Sequence, residues 1–86
     1  MGDGPNIEGL LLRIIFALVD NPTEVRVTSA KMATGTVLQV VVAPTDIGKV
    51  IGKDGRTARS LRELLYAMGF AAKTRYQLDI VTGPVK

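Results

Sequence analysis

The sequence contains no cysteine and no histidine. That removes disulfides, thiolate chemistry and the usual transition-metal sites, so no cofactor is expected. The same absence fits a reducing cytoplasm. No Ser-His, Cys-His or paired-carboxylate arrangement offers a catalytic constellation, and an enzyme is not expected. Long apolar runs are missing too. The most apolar stretch, Leu10–Val19, is too short to span a bilayer and contains Arg13. It has no basic leader before it and no small-residue cleavage site after it, so it reads as neither signal peptide nor anchor. Internal repeats and low-complexity tracts are also absent.

What remains is 86 residues at 47% hydrophobic, the profile of one globular domain. The net charge of +3 is unevenly placed. Residues 1–48 hold three Lys/Arg against five Asp/Glu (−2), whereas residues 49–86 hold eight against three (+5). Five of those cations, Lys49, Lys53, Arg56, Arg59 and Arg62, fall within fourteen residues. Such clustering points to a polyanionic partner; its structural alternative is a solvated basic face.

Met1–Pro5 reads as a loose leader and residues 83–86 as a short tail, leaving a domain over residues 6–82. Asn6 is placed to cap a helix. Ile7, Leu10, Leu11, Ile14 and Leu18 mark one helical face. Leu12, Ile15, Phe16 and Val19 are apolar as well, so this helix is either deeply buried or shared with a partner. Asp20-Asn21-Pro22 ends it. Val25 and Val27 alternate with Arg26 and Thr28, predicting a half-exposed strand over Glu24–Lys31. A turn over Met32–Gly35 follows, with Gly35 as its special position. Val37, Leu38, Val40, Val41 and Val42 predict a covered central strand, stopped by Pro44.

Thr45 or Asp46 can cap a short helix through Ile51. A longer helix is predicted from about Arg56 to Met68. Its apolar arc is Ala58, Leu61, Leu64, Leu65 and Met68, with Arg56, Arg59 and Arg62 on the neighbouring arc and Gly69 as the stop. Tyr76, Leu78 and Ile80 alternate with Arg75, Gln77 and Asp79 in a third strand. The first two strands should form a hairpin. The helix pair is a crossover long enough to bring strand three parallel beside strand two. The expected fold is α+β, in the order α-β-β-α-α-β, with a three-stranded mixed sheet and three helices on one face.

The chain is organised around Gly48-Lys49-Val50-Ile51-Gly52-Lys53-Asp54-Gly55-Arg56. Glycine permits a sharp bend and the close approach of another backbone. Amides at the start of the next helix favour an anion. Other phosphate-binding motifs fail on spacing. A P-loop needs four residues between its first glycine and Gly-Lys, followed by Ser or Thr. Here three residues separate Gly48 from Gly52, and Asp54 follows Lys53. The dinucleotide fingerprint lacks its first glycine. A DNA-binding helix-turn-helix with Arg56–Arg62 in the recognition helix fits the glycine link, but fits the flanking strands and the short first helix less well. A protein-assembly subunit is the remaining alternative.

Val50-Ile51-Gly52-Lys53-Asp54-Gly55 resembles the Ile-Gly-x-x-Gly core of KH domains, and the element order resembles the type II, bacterial, KH topology. Leu18-Val19-Asp20-Asn21-Pro22 together with Gly48–Arg59 resembles the small bacterial single-KH RNA-binding proteins of the KhpA type. The resemblance covers about residues 7 to 81. It implies a clamp for about four single-stranded nucleotides, with the Gly-x-x-Gly loop against the backbone. Gly52 and Gly55 would allow close approach, and Lys53 would meet a phosphate. Val50 and Ile51, with Ile47 nearby, would floor an apolar groove whose far wall is Leu78 or Ile80. Arg56 and Arg59 would hold the strand where it leaves the loop, with Lys49 in the same cationic cluster.

The implied partners are single-stranded RNA, with single-stranded DNA as a substitute, and no membrane. The implied role is that of a bacterial post-transcriptional regulator or RNA chaperone. The resemblance also implies pairing, as a homodimer or with a second KH-domain protein, and the surplus of apolar residues on the first helix points the same way. There are departures. Ala58 stands where many KH domains carry a larger aliphatic residue, which makes the groove shallower. Asp54 would repel phosphate, unless it caps the next helix. The groove is expected to lack an aromatic platform, with Tyr66 and Tyr76 read as core or surface residues.

Overall fold

A largely polar strand and a valine-rich one pair across a two-residue turn, a third strand extends that sheet, and the helices are laid on one side of it. A computed structural model describes residues 6–82. The expected leader at 1–5 and tail at 83–86 lie outside the described residues. Helix α1 spans Ile7–Leu18, strand β1 Arg26–Met32, strand β2 Gly35–Val41, helix α2 Ile47–Ile51, helix α3 Arg56–Ala72 and strand β3 Tyr76–Ile80. The order along the chain is that expected from the periodicities. β1 and β2 are antiparallel, and β2 and β3 are parallel, so the sheet runs β1-β2-β3. The turn is Ala33-Thr34 alone, because Met32 already pairs with Gly35. Gly35 has φ 141°, and a Cβ there would lie 2.3 Å from the Arg75 carbonyl oxygen. The glycine lets the chain entering β3 pass close enough for Thr36 N–H to donate to that oxygen at 2.7 Å.

The pleat sorts the strands by face. Leu38 and Val40 of β2, and Leu78 and Ile80 of β3, are buried against the helices. Gln39, Gln77 and Asp79 point the other way and are exposed, and Gln39 donates to Asp79 across the outer face. β1 is nearly all exposed; only Val27 is partly covered. On the helical side the core gathers Ile7, Leu11 and Ile15 of α1, Val50 of α2, and Ala58, Leu61 and Leu65 of α3. The buried stripe of α1 is thus centred on Ile7, Leu11 and Ile15, whereas Leu10 and Phe16 stay exposed. Asn6 caps α1 as expected, its side chain accepting from Gly9 N–H at 3.0 Å. The Ser29 hydroxyl, on the inner face of β1, donates to Glu8 and ties that strand to α1.

Two local expectations are corrected. Gly69 does not stop α3. It is buried inside the helix, where a Cβ would meet the Thr74 carbonyl oxygen at 2.5 Å. α3 runs on to Ala72 and ends where Lys73 turns left-handed at φ 58°. Thr74 N–H then donates to Gly69 O at 2.9 Å and Lys73 N–H to Phe70 O at 3.3 Å, the paired bonds of a Schellman end. The glycine therefore serves the close return of the chain into β3.

Asp46 does not cap α2 with its side chain. Only 1% exposed, it reaches back to the end of α1 and accepts from Asp20 N–H at 3.2 Å, Asn21 N–H at 3.0 Å and Asn21 Nδ2 at 3.1 Å. Among the described residues, no helix is long and apolar enough to cross a membrane.

Candidate nucleic-acid interface

α2 and α3 are joined by Gly52–Gly55, and the backbone there takes conformations that side-chain-bearing residues avoid. Gly52 has φ 80° and ψ 169°, Asp54 φ 56°, and Gly55 φ 73°. Gly52 N–H closes α2 on Gly48 O at 2.8 Å, and Gly55 N–H closes the loop on Gly52 O at 3.0 Å. The two glycines serve different ends. A Cβ on Gly52 would lie 2.2 Å from Thr57 Oγ1 and 2.8 Å from Thr57 N, so this glycine lets the loop pack on the first turn of α3. A Cβ on Gly55 would meet nothing within 4 Å, so its bare face looks into open space. That is the place where a second backbone can come close.

Around this loop the predicted residues divide into three groups. Lys53, Asp54, Arg56 and Arg59 are exposed, on the loop and the first turns of α3. Ile47, Ile51, Gly52 and Gly55 are half-buried. Val50 is 0% exposed and belongs to the core, so it supports the surface without forming part of it. Asp54 does not cap α3: the N-cap position is Gly55, with no side-chain bond. Among the described residues Asp54 forms no salt bridge, and the exposed loop carries its carboxylate between Lys53 and Arg56 in the chain.

Lys49 is held in place. Its ammonium lies 3.3 Å from Asp20 and 3.8 Å from Asp46, so it ties α2 to the end of α1. Burial pushes the Asp46 carboxyl up, but the Asp20 and Asn21 hydrogen bonds and the Lys49 charge outweigh it and hold the group below the ordinary aspartate value.

Beside the loop, a cleft of about 510 Å³ runs between α3 and the outer edge of β3. Arg59, Arg62, Glu63 and Tyr66 line it from the helix, and Arg75, Tyr76, Gln77 and Leu78 from the strand. Leu78 lines this cleft, whereas Ile47, Val50 and Ile51, the expected floor of the base groove, do not. Both tyrosines, read from sequence as core or surface residues, also line this cleft. The signal for Tyr66 lies in the spacing 59, 62, 63, 66, which is one stripe of a helix. Nothing in the sequence alone says that β3 lies along that stripe.

A left-handed Gly-x-x-Gly link between a five-residue helix and a long basic one, on an α-β-β-α-α-β sheet of this topology, defines a KH domain of type II. Residues 8–80 match the sequence model of the family described as KhpA/KhpB, KH domain, and the chain belongs to that family. It is similar to the RNA-binding protein KhpA of Treponema pallidum, with 51% identity over 74 residues, 86% of this chain and 92% of that protein. It is similar to the RNA-binding protein KhpA of Halalkalibacterium halodurans at 44% over 72 residues, 84% and 95% of the two chains. With the RNA-binding protein KhpA of Streptomyces coelicolor it shares 48% over 63 residues, 73% and 80%. No solved structure matches the chain significantly.

Proposed function

We propose that this protein binds single-stranded RNA at the Gly52–Gly55 loop, without catalysis, as a post-transcriptional regulator or RNA chaperone of the bacterial cytoplasm. The observation that carries the reading is the open face of Gly55 between two exposed cations, Lys53 and Arg56. A phosphodiester backbone lies against the bare glycine, Lys53 meets one phosphate, and Arg56 and Arg59 follow the strand along α3. Ile47 and Ile51 give the bases an apolar margin. Single-stranded DNA fits the same surface less well where a 2′-hydroxyl is read. The names of the relatives support the same substrate.

A binding series with single-stranded RNA, single-stranded DNA and duplex DNA at several salt concentrations tests this. With two to four phosphates neutralised, the log–log salt slope for RNA is expected at about −1.5 to −3. A slope near zero removes the cationic cluster from the argument. A clear preference for duplex DNA transfers it to the helix-turn-helix reading.

Pairing is the second part of the proposal, with another copy or with a second KH-domain protein. It is supported by the α1–α3 seam, where Leu10 is 42% and Leu64 45% exposed beside half-buried Ile14 and Met68. Covering large apolar side chains contributes about 1.5–3 kcal/mol each when burial is complete. Sedimentation over a range of concentrations is expected to show a dimer that a Leu64→Glu substitution dissociates. A strict monomer at high concentration removes the homodimer.

A further inference from the structure

Asp54 is an acid in a loop otherwise suited to an anion. It is exposed between Gly52 and Gly55, with a left-handed backbone at φ 56° and ψ 25°. Glycine and short polar residues are the ones that tolerate that conformation. Asparagine or glycine would meet the requirement without charge, so the backbone does not account for the carboxylate. Nor does the fold. Asp54 forms no salt bridge among the described residues, and α3 takes no side-chain cap. The acids at the end of α1 and the start of α2 behave otherwise, because Asp20 and Asp46 both hold Lys49.

An ionised carboxylate only accepts hydrogen bonds. The non-bridging oxygens of a phosphodiester accept too, and the like charges repel. That repulsion is the same for RNA and for DNA. The two backbones differ at the 2′-hydroxyl, a donor that RNA has and DNA lacks. Lys53 and Arg56 flank the position as seats for phosphate, and the bare face of Gly55 lets a backbone come close. Riboses alternate with phosphates along a strand seated there, so a sugar lies next to residue 54.

We infer that Asp54 selects RNA over single-stranded DNA. The 2′-hydroxyl of a clamped nucleotide donates to its carboxylate, which offsets the repulsion for RNA and leaves it uncompensated for DNA. The inference rests on the proposed RNA binding at Gly52–Gly55 and names the residue that tells the two strands apart. Selectivity of this kind acts by a penalty on the wrong ligand as well as a gain for the right one.

The test uses the full chain with three tetramers of one sequence: uridine, deoxyuridine and 2′-fluorouridine. The fluoro strand keeps an RNA-like sugar but has no hydroxyl to donate. The native chain is expected to bind the uridine tetramer about tenfold more tightly than either of the others, as a charge-assisted hydrogen bond requires. Asp54→Gly, which suits the left-handed position, binds the three within about twofold of one another, and binds deoxyuridine more tightly than the native chain does. Any effect of the glycine on loop stiffness bears on all three strands alike, so the ratios are the readout. Asp54→Asn keeps an acceptor oxygen without the charge and falls between the two. Single deoxyuridine replacements in the uridine tetramer locate the contact. One of them removes most of the preference in the native chain and changes nothing in Asp54→Gly. A native chain that does not distinguish uridine from 2′-fluorouridine overturns the inference, as does an RNA preference that survives Asp54→Gly. Lys53→Asp keeps the two layers apart. Unimpaired binding of the uridine tetramer by that variant removes the loop reading. Weakened binding by it, with an unchanged RNA preference in Asp54→Gly, removes only the role of Asp54.

Discussion

Lys53→Asp is expected to weaken single-stranded RNA binding by at least about a hundredfold and to leave the fold unchanged. A charge-assisted contact to phosphate contributes about 1.5–3 kcal/mol, and tenfold in affinity is about 1.4 kcal/mol, so the lost contact alone accounts for one to two decades. The substitution also places a second carboxylate beside Asp54, between Gly52 and Gly55, where the strand must approach most closely. The fold has little to lose, because Lys53 is exposed and forms no salt bridge among the described residues. Exposed substitutions of this kind change stability by about 0.5 kcal/mol or less. Circular dichroism and melting temperature are the readouts for the fold, and fluorescence anisotropy with labelled RNA for binding. The control is Arg26→Asp, which makes the same charge change on β1, away from the loop, and retains most of the affinity. Equal losses in both variants would assign binding to net charge. Unimpaired binding by Lys53→Asp would reduce the loop to a turn.

The second large effect is on stability, and it centres on a buried residue outside the Gly52–Gly55 loop. Asp46→Ala removes the acceptor of Asp20 N–H, Asn21 N–H and the Asn21 amide at the junction between α1 and β1. It also leaves Lys49 with Asp20 alone. Groups that lose a buried anionic acceptor are left poorly solvated. The melting temperature of a domain this small is expected to fall by on the order of 10 °C. Asp46→Asn keeps an acceptor oxygen and should fall less.

The pH dependence follows from the depressed carboxyl. A group held below its unfolded value contributes its full stability above that value, 3.8, and loses it as pH falls through the folded value. The native protein should therefore lose stability in acid below about pH 4, and Asp46→Ala should flatten that part of the curve. A melting temperature and an acid limb identical to those of the native chain would mean that the Asp46 junction holds nothing together.

The order of elements, the parallel pairing of β3 with β2 and the glycine loop were all legible in the sequence, because each rests on a local pattern. Alternation marked β3, the valine run marked β2, and two glycines flanking two polar residues marked the link. What escaped were contacts between segments far apart in the chain. Asp46 looks like a cap because it precedes a helix, yet its bonds go to Asp20 and Asn21 at the far side of a hairpin. Gly69 looks like a helix stop because glycine often is one. Its true constraint is the carbonyl of Thr74 pressed against its Cα as the chain turns back. Asp54 looks like a cap, but its own backbone is left-handed and the capping position passes to Gly55. Tyr66 and Tyr76 share a cleft only because α3 lies along β3, which is a fact of packing and not of either local pattern.

The exposure of β1 bears on how the molecule behaves in a crowded solution. In the order β1-β2-β3 the outer strands have open edges, the usual route by which small sheets polymerise. β1 carries Arg26 and Lys31 near its two ends with Thr28 and Ser29 between them. The two positions differ in parity, so β1 carries one cation on each face of the sheet, and a strand pairing along this edge would meet both. β3 is only five residues long and carries Asp79 beside its apolar positions. Both edge strands thus carry charge, and apart from Met32 at the end of β1 the exposed large apolar side chains lie on the helices, at Leu10, Phe16, Leu64, Tyr66 and Phe70. Growth strand by strand would have to crowd these charges, whereas contact through the helices would cover apolar side chains.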